Sequence, residues 1–223
     1  MDGIGASFEI TCSGMNSHLN LQEWFGGIDI YLFDQLLKGR ITPQMKVLDA
    51  GCGSGRNLIY FLRSGSDVCG VDQSSEAIAQ VRALAAALSP HLSADHFRVE
   101  AVESLSFADE SFELVISSAV LHFAQDEEHW QSMVREMWRV LRPGGIFFAR
   151  LASSIGIEEQ VEQIEGRRYH LPDGSERFLV DEEMLLATTA SLDGELLEPL
   201  KTVIVQNLRS MSTWCLRKSL NEK

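Results

Sequence analysis

From Val47 to Asn57 the chain reads Val-Leu-Asp-Ala-Gly-Cys-Gly-Ser-Gly-Arg-Asn, a short apolar run followed by glycines at 51, 53 and 55. Glycine has no Cβ, so such a loop turns sharply and lets its backbone come within contact distance of a bound molecule. A second apolar run, Val68-Cys69-Gly70-Val71, ends on Asp72 and Gln73. A carboxylate one strand beyond a glycine loop can accept hydrogen bonds from both hydroxyls of a ribose. That is the chemistry of a pocket for an adenosine-containing cofactor.

The spacing narrows the choice. A dinucleotide fingerprint runs G-x-G-x-x-G, and its third glycine allows close helix–strand packing near a pyrophosphate. Arg56 stands where that glycine would be, and Asp49 adds an acid at the mouth of the first strand. A nicotinamide oxidoreductase is the weaker reading, because no hydride-site constellation accompanies the loop. A non-catalytic protein that keeps the pocket as a scaffold stays open, since fold does not dictate function.

These residues need strands and helices to hold them. Helical spacing of Ile28, Tyr31, Leu32 and Leu36 predicts a helix from Trp24 to Leu37, closed by Gly39 and Pro43. Strand one falls near 46–50, a helix follows over 56–64, and strand two covers 67–71. Ser74 or Ser75 caps the next helix. Phe97, Val99 and Ala101 alternate as strand three, and 112–117 form a buried strand four. Asp126 caps a helix with Trp130, Met133, Val134, Met137 and Leu141 on one face. The turn Arg142-Pro143-Gly144-Gly145 leads into strand five, 146–151. Residues 181–191 form a further helix, and the runs 196–205 and 209–217 form a terminal hairpin. The fold class is therefore α/β: a doubly wound, mostly parallel sheet with a C-terminal antiparallel hairpin. Residues 1–22 are read as a flexible arm and 23–223 as a single domain, with an inserted loop or small hairpin at about 152–180.

The 223 residues carry 32 acidic and 19 basic side chains, a formal charge of −13. So negative a surface repels phosphate backbones, which argues against nucleic-acid substrates. No apolar run is long enough to span a membrane, and the first residues lack the pattern of a secretory signal. Cys12, Cys52, Cys69 and Cys215 form no C-x-x-C pair, which reads as reduced thiols in a cytoplasmic protein. The six histidines show no metal-ligand spacing, so no metal is expected. Oligomeric state is not legible.

The glycine stretch resembles the first motif of the class I S-adenosylmethionine-dependent methyltransferases. Three further stretches are similar to that family in its order: Leu105–Glu113, Ser117–Phe123 and Glu136–Gly145. The resemblance implies a seven-stranded sheet in the order 3-2-1-4-5-7-6 and S-adenosyl-L-methionine as cofactor. It places the glycine loop against the methionine part and Asp72 on the ribose. The cofactor-binding residues are then Asp49, Gly51, Cys52, Gly53, Gly55, Asn57, Asp72, Gln73, Val102, Glu103, Ser117 and Ser118. One departure stands out: the family's acid after strand three, which helps seat the adenine, is matched here by Ala101. The Val102 amide, apolar packing or Glu103 would serve instead. Gly51–Leu62 also looks like the tellurite-resistance branch.

Methyl transfer is an in-line displacement whose electrophile and leaving group come from the cofactor, so the protein mainly aligns the acceptor. This accounts for the lack of a Ser–His–Asp or paired-carboxylate constellation. His122 is the candidate for orienting the acceptor or taking its proton; a hydrogen-bonded structural histidine is the competing account. Tyr31 is a candidate to close over the sulfonium by cation–π attraction, against core packing. Arg167, Arg168 and His170 would meet an anionic acceptor, against simple solvation. Arg56 opposes the dipole at a helix start, so an anion on cofactor or substrate would explain it, as would a surface ion pair. Acidic charge and a small insert point to a small-molecule acceptor, with a thiol or chalcogen oxyanion raised by the tellurite-resistance likeness.

Overall fold

Apolar side chains at alternate positions along the central strands divide the core into two layers. In the computed structural model, which describes residues 20–220, Leu48, Val115, Phe147 and Trp214 face one layer, and Val47, Leu114, Phe148 and Cys215 face the other. The strands behind this pattern are β1 (Val47–Ala50), β2 (Val68–Asp72), β3 (Phe97–Val99), β4 (Phe112–Ser118) and β5 (Leu141–Ala152). Neighbouring members of this set pair in parallel, in the spatial order β3-β2-β1-β4-β5. The first layer is covered by α5 (Glu127–Val140) and α6 (Glu182–Ser191), the second by α2 (Ile30–Leu37), α3 (Ile59–Arg63) and α4 (Ser75–Leu88).

The chain then reverses. β11 (Arg209–Lys218) lies antiparallel against β5 through seven paired residues, Met211↔Ala152 to Arg217↔Ile146. Beyond it, β10 (Lys201–Val205) pairs with the start of β11 and β9 (Gly194–Leu196) with its end, both antiparallel. With β9 and β10 taken as one interrupted edge strand, the order is the expected 3-2-1-4-5-7-6. The expected continuous run 196–205 is broken because Pro199 has no N–H to give to β11.

Other expectations need correction: β5 begins at Leu141, so the expected turn at 142–145 lies inside the strand and Leu141 is not on α5, and β3 ends at Val99 rather than Ala101. The helix expected over 24–37 is two: α1 (Leu21–Phe25), capped by Asn20, and α2, capped by Asp29. Gly26 sits at φ +56 and ends the first, although the apolar spacing runs on across the break. The helix expected from Arg56 begins only at Ile59, after turns that carry the chain out of the glycine loop. The stretch 152–180 is more than a hairpin: β6 (Glu162–Glu165), β7 (Arg168–His170) and β8 (Glu176–Phe178) form a three-stranded antiparallel sheet. Leu171 and Leu179 anchor it to Ala152 and Met211 at the ends of β5 and β11. The expected arm lies outside the described residues except at its last residues, which enter α1.

Among the described residues no helix is long and apolar enough to cross a membrane. Cys52, Cys69 and Cys215 are buried and unpaired; Cys12 lies outside the described residues. Asp67, Cys69 and His96, which no sequence spacing connects, bring ligand-type atoms within 4.8 Å of one another. They lie at the amino ends of β2 and β3, away from the glycine loop, and Asp67 already pairs with Lys46 at 3.1 Å.

Candidate active site

β1 and β2 deliver their acids to the same end of the sheet because they run parallel and in register, Asp49 opposite Gly70 and Ala50 opposite Val71. The Val71 carbonyl accepts from the amides of both Gly51 and Cys52 at 2.8 Å, which starts the loop. Gly51 then takes φ +83, and a Cβ there would lie 2.3 Å from the Val120 side chain. Asp72 closes the loop: its carboxylate accepts from the amides of Gly53 and Ser74, each at 2.9 Å.

The loop forms one wall of a cavity of about 530 Å³, in the size range of small-molecule sites. Gly51, Gly53, Asp72, Gln73, Val102 and Glu103 line it, which brings together half of the expected cofactor residues. The others sit behind the wall. A Cβ on Gly55 would meet Val81 of α4 at 2.7 Å, so this glycine serves helix packing. The Cys52 thiol is buried, and burial pushes its pKa well up, so it stays protonated. Asn57 accepts the Asp29 amide at 2.9 Å. The Ser118 hydroxyl donates to Asp29 at 3.2 Å and accepts from Arg56 at 3.1 Å.

Asp49 and Ser117 are unlike these. Asp49 is 1% exposed, and neither of its carboxylate oxygens has a hydrogen-bond partner; the buried Ser117 hydroxyl has none either. Burial pushes the Asp49 carboxyl up to about 7, opposed by Arg56 and aided by Asp72. An orphaned buried acid beside a glycine loop calls for a cation. The ammonium group of S-adenosylmethionine would supply one, and the residues present fit that cofactor.

A pH test follows, with its sign set by linkage. The raised pKa favours the protonated fold, so this group's contribution to the ligand-free protein is present below about pH 4 and lost as pH rises through about 7. A cationic ligand reverses that preference by binding the ionised form. Cofactor affinity should therefore rise about tenfold between pH 6 and pH 8, and Asp49→Asn should flatten the slope in calorimetric titrations. A wild-type affinity independent of pH would remove Asp49 from the cofactor's surroundings.

Sequence reasoning missed several lining residues: Ala119, Val120, Phe123, Gln125, His129 and Met133. The loop they begin in was legible; their individual places were not. Ala119 adopts φ +64, an unusual conformation for a residue with a Cβ, with no glycine to announce it. His129 stands at the other side of the cavity, its Nε2 3.5 Å from Glu103, while its Nδ1 accepts from the Gln125 amide.

Asp29 was missed as well. Its carboxylate is buried and gathers four contacts: the Tyr31 amide at 2.9 Å, the Ser118 hydroxyl, Arg150 at 3.0 Å and Arg56 at 3.9 Å. One side chain thus ties α2 to β4, β5 and the glycine loop. A polar residue after Gly-Gly and before an apolar run was a visible cap signature, but its distant partners were not. Arg56 finds its anion here, within the protein, and Tyr31 lies under Arg150, 5.2 Å from the ring centre.

A second cavity of about 360 Å³ shares Ala119 and Phe123 with the first. His122, Arg150 and Ala152 form its floor, the insert contributes Leu171, Asp173 and Arg177, and the terminal hairpin contributes Arg209 and Met211. Arg167, Arg168 and His170 line neither cavity. Arg167 pairs with Asp181 at 2.8 Å, and Arg168 and His170 both face Glu176. Arg168 and His170 are thus balanced within the insert, and Arg167 by the residue that caps α6.

His122 is 7% exposed, and its Nδ1 accepts from the Ala152 amide at 3.3 Å. Burial, helped by nearby Arg177, holds its pKa down at about 4. The ring is therefore neutral at pH 7, and with Nδ1 accepting, its one N–H proton is on Nε2.

Comparison with known proteins agrees with this geometry. A family model described as a methyltransferase domain matches residues 48–149. The malonyl-[acyl-carrier protein] O-methyltransferase of Pseudescherichia vulneris is 30% identical over 194 residues, covering 86% of this chain and 69% of that protein. The chain belongs to the S-adenosylmethionine-dependent methyltransferases. S-Adenosyl-L-methionine is accordingly its cofactor. Among solved structures, this methyltransferase resembles a SAM-dependent methyltransferase from Methanosarcina mazei, with TM-score 0.69 and 22% identity over 83% of this chain and 98% of that one. It also resembles the 1,6-didemethyltoxoflavin-N1-methyltransferase of Burkholderia thailandensis, solved with S-adenosylhomocysteine, at TM-score 0.66 and 20% identity over 87% and 79% of the two chains. Both likenesses concern the fold. The chain spans less than half the length of several other curated relatives it matches.

Proposed function

We propose that this methyltransferase moves a methyl group from S-adenosylmethionine in the first cavity to a small molecule in the second. The observation that carries the reading is the shared wall: Ala119 and Phe123 border both spaces, so two ligands would meet there. When bound, S-adenosylmethionine supplies a methyl group on a positively charged sulfur, electrophile and leaving group together. The chain's part is to hold two molecules in line and keep water away. Gly51 and Gly53 would face the methionine portion, Asp49 would balance its ammonium group, and Asp72 would accept from the ribose hydroxyls. Val102 and Glu103 would border the adenine, with His129 beside Glu103 in place of the acid that Ala101 lacks.

His122 acts here as a positioning residue. A base needs a free lone pair, and its Nδ1 lone pair is already given to Ala152. The Nε2–H is left as a donor, suited to orienting an acceptor. His122→Ala should lower turnover more than about tenfold, the lower end of what a positioned group contributes, with cofactor affinity nearly unchanged. His122→Gln, which keeps a donor, should recover part of it. If turnover in both variants equals that of the wild type, the residue only packs.

The function itself is tested by S-adenosylhomocysteine release against thiols, chalcogen oxyanions, amines, phenols, carboxylates, tRNA and histone peptides. Turnover is expected only among the small molecules; turnover on tRNA or protein alone would overturn the reading. Cofactor binding with turnover on nothing would favour a non-catalytic role, and tighter binding of NAD would favour an oxidoreductase. Three buried, unpaired thiols fit a reducing, cytoplasmic setting.

A further inference from the structure

The second cavity departs from the charge of the molecule around it. The chain carries −13 overall, yet Arg150, Arg177 and Arg209 line this space with one carboxylate, Asp173. Arg150 is already paired with buried Asp29. Asp173 accepts from the Ser175 amide at 3.0 Å and its hydroxyl at 2.6 Å; that hydroxyl foremost, with Arg209 and Arg177 adding to it, holds its carboxyl below the usual value, so Asp173 offsets only one of these two cations. Among the described residues neither Arg177 nor Arg209 forms an ion pair, while Arg167 and Arg168 of the same insert both do. The cavity therefore keeps a surplus positive charge.

Arg177 is also held in place. It donates to the Glu176 carbonyl at 2.6 Å, and its guanidinium lies 5.0 Å over the Phe123 ring, the wall shared with the cofactor cavity. Leu171, Val205 and Met211 make the remaining walls apolar. Resting on the reading of this cavity as the acceptor site, we infer that the methyl acceptor is a small molecule with an apolar body and an oxyanion, gripped by Arg177 and Arg209. Half-buried Arg177 gains most from an anion, because charge-assisted bonds strengthen where water is displaced, while Arg209 stands exposed at the rim. The His122 Nε2–H adds a neutral donor. The volume suits a small ligand rather than a polymer.

The test is calorimetry with the enzyme saturated in S-adenosylhomocysteine. The probes are 1-naphthoate, 1-naphthalenesulfonate and the neutral 1-naphthamide, which share one hydrocarbon body. At least one of the two anions should bind about tenfold or more tighter than the amide, with a preference that shrinks as salt rises; which one does so separates carboxylate from sulfonate chemistry. A variant carrying Arg177→Gln and Arg209→Gln should erase the preference while binding S-adenosylhomocysteine as the wild type does. Equal binding of anions and amide, no binding of either anion, or a preference that survives both substitutions would overturn the inference. Failure of S-adenosylhomocysteine to bind in the first titration would instead sink the methyltransferase reading beneath it.

Discussion

Replacing Asp72 with alanine should weaken S-adenosylmethionine ten- to hundredfold. Its carboxylate sits at the end of β2 with one oxygen on the Gly53 amide and the other on the Ser74 amide. Each oxygen has a further lone pair for a ribose hydroxyl. Hydrogen bonds to a charged group are worth about 1.5–3 kcal/mol, which sets that range. The substitution also frees the Gly53 amide, so the loop loses its tether together with the ligand contact. Asp72→Asn separates the two effects: it keeps an acceptor oxygen, and its loss should be smaller. Calorimetric affinities for the three proteins decide the matter, and an unchanged value for the alanine variant would place the ribose elsewhere.

That Asp72 would border the glycine-loop cavity was legible because the pattern that places it there is local. A strand that ends on an acid, one unit after alternate glycines, carries its meaning within about 25 residues of sequence. Alternating strands and helices made the mostly parallel α/β class legible, whereas the strand order came from the family resemblance alone. What escaped notice depends on convergence. Asp29 meets Ser118 and Arg150 across 89 and 121 positions of chain, and no spacing rule links them. Arg177 and Arg209 come from different sheets, while the adjacent pair Arg167 and Arg168 drew attention by being adjacent. Neutralisation by Asp181 and Glu176 becomes visible only in three dimensions. The break at Gly26 was hidden because helical spacing of apolar residues survived it, and backbone conformation decided where the helix ended.

Trp214→Ala should cost about 3–5 kcal/mol of stability, the range for removing a fully buried large aromatic side chain. Trp214 is wholly buried on β11, stacked on Trp130 at 6.1 Å and edge-on to Phe147 at 5.5 Å. Its ring N–H donates to the Thr189 hydroxyl of α6 at 2.9 Å. The indole thus fastens the terminal hairpin to β5, α5 and α6 at once. For a chain of this size the loss corresponds to a fall in Tm of roughly 6–20 °C. Denaturant titration should move the midpoint at constant slope, and Trp214→Phe should lose far less. A shift below about 1 kcal/mol for the alanine variant would mean the surrounding rings close the void.

The interrupted strand at the rim of the sheet bears on how this methyltransferase behaves when crowded against copies of itself. β9 offers three residues and β10 five, parted by a segment that contains Pro199, and at the opposite rim β3 has only three. Among the described residues, a neighbouring chain seeking to add its own strand finds no long, straight row of free amides and carbonyls at either rim of the main sheet. Lys201 and Glu198 add charge beside the gap, paired at 3.0 Å. Short, interrupted edges of this kind are poor templates for the edge-to-edge pairing that leads to stacked sheets.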